Sequence, residues 1–342
     1  MRLGIRADAS RRIGTGHVMR CFALAQEAHS AGSKVTFISA EMVPLVEKKL
    51  RREGIQMLRL SSKAGSVDDA KKTVGHAHRA GLDLLILDGY RFGPSYQKRI
   101  REAGLKNLFL DDDGLKGPYE ADFILNQNVH SNKKMYTGGW PGTRLLLGPR
   151  FVLLRNEFLL WKDKRKNVRK TAKRILVTLG GSDPDHVTTK VLRALQRLRT
   201  DGLQVMVVVG PGNAHSKELE TLCRTSKFPV NVRKNPKSMA ALMAWTDVAV
   251  TGAGSTCWEL AFMGIPSLLL VIDRNQTAIS RRLHQKGVAV DLGWHGRASE
   301  QKIAAELNKL LHSVSNRKKM SRLGKALVDG HGPKRVLAEV LR

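Results

Sequence analysis

The sequence predicts an α/β protein built from two doubly wound, Rossmann-type domains with an interdomain cleft. Three observations lead to this prediction. The chain has 342 residues, more than one hydrophobic core usually holds. Short apolar runs alternate with helical patterns, as expected of strands that are buried on both faces of a parallel sheet. The alternation stops at a strongly basic stretch and then starts again, which indicates a second domain of the same kind.

The first half contains both kinds of element in alternation. Apolar runs predict strands at Leu3–Ala7, Val35–Ser39, Gln56–Leu60, Leu82–Leu87, Asn107–Leu110 and Asp122–Leu125. The segments between them predict helices at His17–Ala31, Pro44–Glu53, Val67–Arg79 and Pro94–Ala103. A glycine ends most of these helices, as expected of a C-terminal cap. We therefore assign residues 1–155 to an N-terminal Rossmann-like domain.

The second half repeats the pattern after a basic segment. Lys162–Arg174 holds eight basic residues and one acidic residue, and we interpret residues 156–169 as a solvated linker. Further strands are predicted at Arg174–Leu179, Gln204–Val209, Val230–Arg233, Val248–Thr251, Ser267–Ile272 and Val288–Asp291. We assign residues 170–342 to a C-terminal Rossmann-like domain.

The charge of the chain is unusual. Its 59 Lys and Arg residues against 30 Asp and Glu residues give a net charge of +29. Such a surplus favours a polyanion, an anionic membrane or a phosphorylated substrate as partner. One dianionic substrate needs only a few of these charges, so we interpret the remainder as general surface composition. A basic polyanion-binding protein without catalysis stays an alternative, but only 5% of the residues are aromatic, too few for the stacking platforms of a nucleic-acid-binding protein. We therefore expect no obligatory nucleic-acid partner, and the sequence names no protein partner.

The cellular setting follows from what the sequence lacks. No apolar run is long enough to span a bilayer, and no h-region with a cleavage site follows the N-terminus. The three cysteines are scattered and form no CxxC motif, which argues against a disulfide framework or a zinc site. We expect a cytoplasmic protein.

Ile13–Cys21, with the sequence IGTGHVMRC, follows the first strand and opens the first helix. Gly14 and Gly16 allow a tight turn and a close approach to a ligand, because neither carries a Cβ. His17 then falls in the first turn of the helix, where unpaired N–H groups and the positive end of the helix dipole disfavour the imidazolium form. We predict that His17 is a neutral catalytic base. A dinucleotide site is disfavoured because Met19 stands where the fingerprint needs its third glycine, although Glu41 after the second strand leaves that alternative open.

Two glycine-rich turns follow strands of the second half. Thr251–Pro266 places Gly254, Ser255 and Thr256 at a helix start, where free N–H groups and hydroxyls suit a diphosphate. Glu259, one turn further on, is placed to accept hydrogen bonds from both ribose hydroxyls. In Leu179–Asp185, Gly180 and Gly181 can present N–H groups to an anion while Ser182 or Asp183 caps the helix. A cap alone explains that second turn equally well.

Three polar segments at strand ends complete the candidates. Asn275 and Gln276 can both donate to and accept from a sugar and its acetamido groups, the alternative being a helix cap before Thr277. Asp88-Gly89-Tyr90 is either a lining of the cleft, with Tyr90 on the substrate, or a plain turn. Asp111-Asp112-Asp113 suggests a metal site, but no further ligands accompany it and Gly114 closes a turn. We therefore expect neither a metal ion nor another cofactor.

Taken together, these segments resemble a known family. The resemblance extends over nearly the whole chain and is carried by Arg6–Ser10, Ile13–Cys21, Asp88–Tyr90, Asp111–Gly114, Leu179–Pro184, Gly252–Pro266 and Asn275-Gln276. The family is that of the UDP-2,4-diacetamido-2,4,6-trideoxy-β-L-altropyranose hydrolases of pseudaminic acid biosynthesis. It is similar in fold to the GT-B glycosyltransferases, notably the enzyme that adds N-acetylglucosamine to the lipid-linked muropeptide.

The resemblance implies an activity and a set of site residues. It implies metal-independent hydrolysis of the UDP-sugar, with His17 as the proton acceptor, Glu259 as a ribose contact and Asn275 as a substrate contact. The predicted substrate-binding residues are Gly16, Tyr90, Gly181, Ser182, Gly254, Ser255, Thr256, Glu259, Asn275 and Gln276. A GT-B glycosyltransferase that uses a UDP-sugar, or a hydrolase of another diacetamido sugar nucleotide, remains as an alternative.

Overall fold

Two compact units make up the protein. The computed structural model describes residues 1–10, 13–114, 117–164, 168–181, 183, 185–210 and 216–341. Unit 1 is Met1–Asn156 together with Gly330–Arg342, and unit 2 is Glu157–Asp329. Each unit contains one fully parallel sheet whose strands alternate with helices. The predicted α/β class is confirmed.

Unit 1 is built on a seven-stranded sheet with the order β3-β2-β1-β4-β5-β6-β7. Its strands are β1 (Arg2–Ala7), β2 (Lys34–Ser39), β3 (Gln56–Arg59), β4 (Leu84–Asp88), β5 (Asn107–Leu110), β6 (Phe123–Asn126) and β7 (Arg144–Leu147). Its first helices are α1 (Gly16–Ser30), α2 (Pro44–Arg52), α3 (Val67–Ala80) and α4 (Pro94–Glu102). Successive side chains of β4 enter two different apolar clusters, so this strand is buried on both faces.

Unit 2 has a six-stranded sheet with the order β10-β9-β8-β11-β12-β13. Its strands are β8 (Arg174–Thr178), β9 (Gln204–Val209), β10 (Val230–Lys234), β11 (Val248–Gly252), β12 (Ser267–Val271) and β13 (Val290–Trp294). The short helix α5 (Asn156–Leu159) precedes it. The helices that follow are α6 (Val187–Leu195), α7 (Ser216–Arg224), α8 (Met239–Trp245), α9 (Thr256–Met263), α10 (Thr277–Gln285), α11 (Glu300–His312) and α12 (Val314–Leu327).

The strand order indicates where a ligand is expected to bind in each unit. In both sheets the order reverses in the middle, between β1 and β4 in unit 1 and between β8 and β11 in unit 2. Helices leave such a switch point toward opposite faces of the sheet, which opens a crevice at the carboxyl ends of the two strands. The turns that follow β1, β4, β8 and β11 are therefore the expected ligand-binding turns.

Two edge strands differ from prediction. The sequence analysis did not predict β7, which is only four residues long and begins with an exposed arginine. The strand predicted at Val288–Asp291 lies two to three residues further along, as β13. Its pairing with β12 is irregular between Leu269 and Val271, and Gly293 within it has a positive φ of 77°. Edge strands that are this short or irregular give little sequence signal.

The last helix corrects the predicted domain boundary. Helix α13 (Gly332–Val340) belongs to unit 1, whereas the sequence analysis placed residues 170–342 together. Val336, Leu337 and Val340 are buried in the main apolar cluster of unit 1. A Cβ on Gly332 would lie 2.0 Å from the carbonyl oxygen of Val152, so only glycine permits this approach. An amphipathic pattern predicts the helix but not the sheet against which it packs.

The end of the basic segment packs against unit 2 and is not a free linker. Its described residues belong to unit 2, and the Arg317 side chain donates to the carbonyl oxygens of Arg169 and Lys170. Within the described ranges, no helix is both long and apolar enough to cross a bilayer.

Candidate active site

His17 lies in the first turn of α1, directly after the β1 turn. Gly14 has a φ of 74°, a conformation that favours glycine. Thr15 at the N-cap makes no side-chain capping bond, and the first turn contains no acidic residue. The dipole of α1 therefore acts on the half-buried imidazole without a neutralising carboxylate in that turn. A Cβ on Gly16 would meet no described atom within 4 Å, so the predicted substrate contact at Gly16 lies beside open space.

Tyr90 packs against His17. It follows β4, and its ring meets the imidazole edge to face, with 5.0 Å between centroids and an interplanar angle of 80°. Its hydroxyl donates to Asp112 Oδ2 over 3.2 Å. The side chain stays 46% exposed. The structure thus brings two predicted site residues, His17 and Tyr90, together at the switch point of unit 1.

A buried arginine beside this site binds two aspartates. Arg20 lies one turn after His17 and donates from Nε and Nη2 to both oxygens of Asp88, each over 2.7 Å. Its Nη1 donates to Asp112 Oδ1 over 2.6 Å. Asp88 is fully buried and Arg20 is 9% exposed. This arrangement joins α1, the end of β4 and the turn after β5 through charge-assisted bonds.

Asp112 is anionic in this setting. Burial by itself would raise the pKa of its carboxyl group, but Arg20, with smaller contributions from His17 and Asn128, lowers the pKa to about 2. Asn128 Nδ2 adds a hydrogen bond to Oδ1 over 3.3 Å. A permanent negative charge therefore lies close enough to His17 to interact with it.

The other aspartates of the Asp111–Asp113 run do not form a metal centre with Asp112. Asp111 Oδ2 accepts from the amide of Gly114 and from the hydroxyl of Tyr136, each over 2.7 Å. Burial raises the pKa of the Asp111 carboxyl group. Across the described ranges, no group of three or more His, Cys, Asp or Glu side chains is arranged to hold a metal ion. Asp111 stabilises a turn through Gly114, and Asp112 forms an ion pair with Arg20.

Unit 2 presents a second candidate binding feature at the start of α9. Ser255 is the N-cap residue, is exposed and makes no side-chain capping bond. The first bonded amides are those of Cys257 and Trp258, which donate to the carbonyls of Gly254 and Ser255. The amides that precede them at a helix start have no intrahelical acceptor, a feature that suits an anion. Gly254, Ser255, Thr256 and Glu259 therefore lie at the start and in the first turn of α9, and their role in binding stays a prediction.

Gln276 has a structural function that the sequence analysis missed. Its Oε1 accepts from the amides of Ala253 and Ile272 over 3.1 and 3.2 Å. One side chain thus fixes the turn after β11 to the end of β12. Its Nε2 lies 3.8 Å from where a Cβ on Gly254 would be. Asn275 is the preceding residue of the same 3-10 turn and is half-buried.

The turn after β8 differs from the turn after β11. Asp183 accepts from the amides of Val187 and Thr188 over 2.9 and 3.0 Å, so a carboxylate of the chain itself already occupies the start of α6. A second anion there would be repelled. Ser182 lies outside the described residues, and Gly181 stays a predicted contact. The capping interpretation of this turn is the better supported one.

Arg20 and Asp112 are site residues that the sequence analysis did not select. Arg20 offered one usable signal, because it interrupts the buried apolar face of α1 and a buried arginine requires an anionic partner. Its partners could not be identified, since Asp88 and Asp112 lie 68 and 92 residues away in the chain.

Comparison with known proteins supports the fold and the resemblance. Residues 174–330 match the family model of the glycosyltransferase family 28 C-terminal domain. The structure of Acinetobacter baumannii MurG superposes on this chain with a TM-score of 0.68 at 15% sequence identity. The alignment covers 99% of each chain. Both sheets therefore belong to a GT-B-like architecture.

Three sequence relatives extend this finding. Uncharacterized protein MJ1062 of Methanocaldococcus jannaschii is 30% identical over 79% of this chain, which spans only 55% of that relative's length. Spore coat polysaccharide biosynthesis protein SpsG of Bacillus subtilis is 26% identical over 99% of this chain and 97% of its own. The UDP-2,4-diacetamido-2,4,6-trideoxy-beta-L-altropyranose hydrolase of Campylobacter jejuni is 23% identical over 85% of this chain and 99% of its own. The predicted resemblance is confirmed, because the homologues include that hydrolase.

Proposed function

We propose that this protein hydrolyses UDP-2,4-diacetamido-2,4,6-trideoxy-β-L-altropyranose to UDP and the free sugar, as a step of pseudaminic acid biosynthesis. The observation that carries the proposal is the placement of His17. It lies at a helix start without a capping side chain, against Tyr90 and near the anionic Asp112. The identity of the proposed substrate comes from the similarity to the Campylobacter hydrolase.

In the proposed reaction the nucleotide binds to unit 2 and His17 of unit 1 supplies the base. The diphosphate accepts hydrogen bonds at the start of α9, and Glu259 binds the ribose. A water molecule attacks the anomeric carbon while its proton passes to the imidazole of His17. The bond from that carbon to the diphosphate oxygen breaks, and the electron pair leaves with UDP. One displacement of this kind inverts the anomeric configuration.

The charged groups of the site support both halves of this step. Asp112 stabilises the imidazolium produced at His17. The amides and hydroxyls at the start of α9 stabilise the charge that grows on the leaving diphosphate. No step in this scheme needs a metal ion.

A glycosyltransferase is the second candidate, because residues 174–330 match a glycosyltransferase domain. The two activities differ in their need for an acceptor. We expect the purified protein to release UDP from the diacetamido UDP-sugar in EDTA and without any acceptor, as measured by a coupled UDP assay. A panel of other UDP-sugars serves as control. UDP release that begins only when an acceptor hydroxyl is added would establish the transferase instead.

Gln276 offers a test of the nucleotide site. Gln276→Leu removes the acceptor of two amides, of which that of the buried Ala253 cannot reach water. An unsatisfied buried donor costs ~1–3 kcal/mol. Since the affected turn leads into the proposed diphosphate site, we expect UDP affinity to fall about tenfold, as measured by calorimetry. Gln285→Leu, an exposed change at the end of α10, is the matched control. Unchanged UDP affinity in Gln276→Leu would show that this turn does not bind the nucleotide.

A further inference from the structure

Unit 2 contains a cavity lined by cationic side chains, at the opposite end of its sheet from the start of α9. A partly enclosed cavity lies beside residues that precede β8, β11 and β12, whereas α9 begins after the carboxyl end of β11. Its charged lining consists of Lys164, Arg169, Asp247 and Arg317, and the turn from Met263 to Pro266 closes one side. None of these residues takes part in the proposed hydrolysis.

Arg317 is the buried member of this group. It is only 1% exposed, and it donates to the carbonyls of Leu310 and Leu311 at the end of α11 and to those of Arg169 and Lys170. Across the described ranges, no carboxylate accepts a hydrogen bond from it. Burial lowers the pKa of this guanidinium, with Asp247 opposing the effect at longer range. A full positive charge is therefore buried beside the cavity and faces only partial negative charges.

The lining leaves positive charge in excess. Asp247 is the one carboxylate among the described lining residues, and Asp247 Oδ1 already contacts Arg169 Nε at 3.4 Å. The second oxygen of Asp247 accepts from the amides of Lys173 and Arg174, each over 3.0 Å. Three cations against one carboxylate leave two positive charges without an anionic partner among the described residues.

We propose that this cavity binds a phosphate group through Lys164 and Arg169, with the buried positive charge of Arg317 adding to the attraction. A phosphate carries close to two negative charges and three acceptor oxygens, which match the charge excess and the donors of these side chains. The exposed face of α12 adds Lys318, Lys319 and Arg322 to the same unit, and α12 contains no acidic residue. Such a surface attracts anions to this unit. The proposed hydrolysis does not explain the net charge of +29. Phosphate binding at this cavity explains part of it.

The test measures inorganic phosphate binding by calorimetry in the presence of saturating UDP, so that the nucleotide site is occupied. We expect the wild type to bind phosphate. We expect Lys164→Ala/Arg169→Ala to lose at least about tenfold in phosphate affinity. Arg317 is left intact because its carbonyl contacts support the fold. Lys48→Ala/Lys71→Ala removes two exposed charges from unit 1 and controls for net charge. Phosphate binding that is absent in the wild type, or equal in both double variants, overturns the proposal.

A second arm identifies the source of the phosphate group. Vesicles of phosphatidylcholine with and without phosphatidylglycerol are sedimented with the wild type and with both double variants. Phosphatidylglycerol-dependent binding that free phosphate displaces, and that Lys164→Ala/Arg169→Ala loses, assigns a lipid headgroup. Phosphate binding without vesicle binding assigns a free phosphate or phosphate ester. Neither arm depends on turnover, so the proposed hydrolase and this site can fail separately.

Discussion

Replacing His17 by Asn lowers turnover of the UDP-sugar by ~10²–10⁴-fold, the usual contribution of a general base. Asn retains a polar side chain of similar size but cannot take a proton from water. UDP affinity stays unchanged, because the proposed nucleotide contacts lie in unit 2. The comparison requires kcat from a UDP-release assay and the dissociation constant of UDP from calorimetry.

His29→Asn is the matched control, since His29 is an exposed histidine in the last turn of the same helix. We expect its turnover to equal that of the wild type. Near-normal turnover in His17→Asn would remove the imidazole from the mechanism. A loss of UDP affinity alongside turnover would instead indicate that the variant is generally damaged.

Replacing Arg20 by Met destabilises unit 1 by ~3–5 kcal/mol, the usual cost of removing one partner from a buried ion pair. Arg20 is the cation that Asp88 and Asp112 share, and Met leaves both carboxylates largely buried without it. Hydrogen exchange of the α1 backbone amides measures the change in unit 1 directly. Arg99→Met, which removes an exposed arginine from α4, should stay within about 0.5 kcal/mol of the wild type.

The same variant has a characteristic pH dependence. In the wild type, the pKa of Asp112 is lowered to about 2. Its contribution to stability is therefore present above the pKa of an unfolded aspartate, ~3.9, and is lost as the pH falls through about 2. Without Arg20, burial raises the pKa of this carboxyl group in the folded state, so protonation favours folding. We expect the stability difference between wild type and Arg20→Met to shrink from pH 7 to pH 4. A difference that is constant over this range would contradict the ion-pair account.

The sequence allowed most strands to be predicted, because apolar runs that are buried on both faces are distinctive. The His17 turn and the start of α9 were also predictable, since glycines, hydroxyl residues and a helix start are close together in the chain. A motif whose residues are close together in the chain can be recognised from a short sequence segment. The start of α9 illustrates this, because Gly254, Ser255, Thr256 and Glu259 all lie within six consecutive residues.

Long-range pairings could not be predicted in the same way. Nothing near Arg20 indicates which aspartates neutralise it, because the sheet order that brings Asp88 and Asp112 to α1 is a property of the whole unit. The same limit applies to α13, whose apolar face would suit either sheet. At the turn after β8, Ser182 and Asp183 both had capping chemistry, and the hydrogen bonds that the amides of Val187 and Thr188 donate to Asp183 favour the aspartate.

In the proposed reaction, water attacks the anomeric carbon of the UDP-sugar and not the phosphorus. Turnover in ¹⁸O-labelled water, followed by mass spectrometry of both products, distinguishes the two points of attack. We expect one labelled oxygen in the released diacetamido sugar and none in UDP. Label in UDP would mean attack at phosphorus and would contradict the proposed reaction.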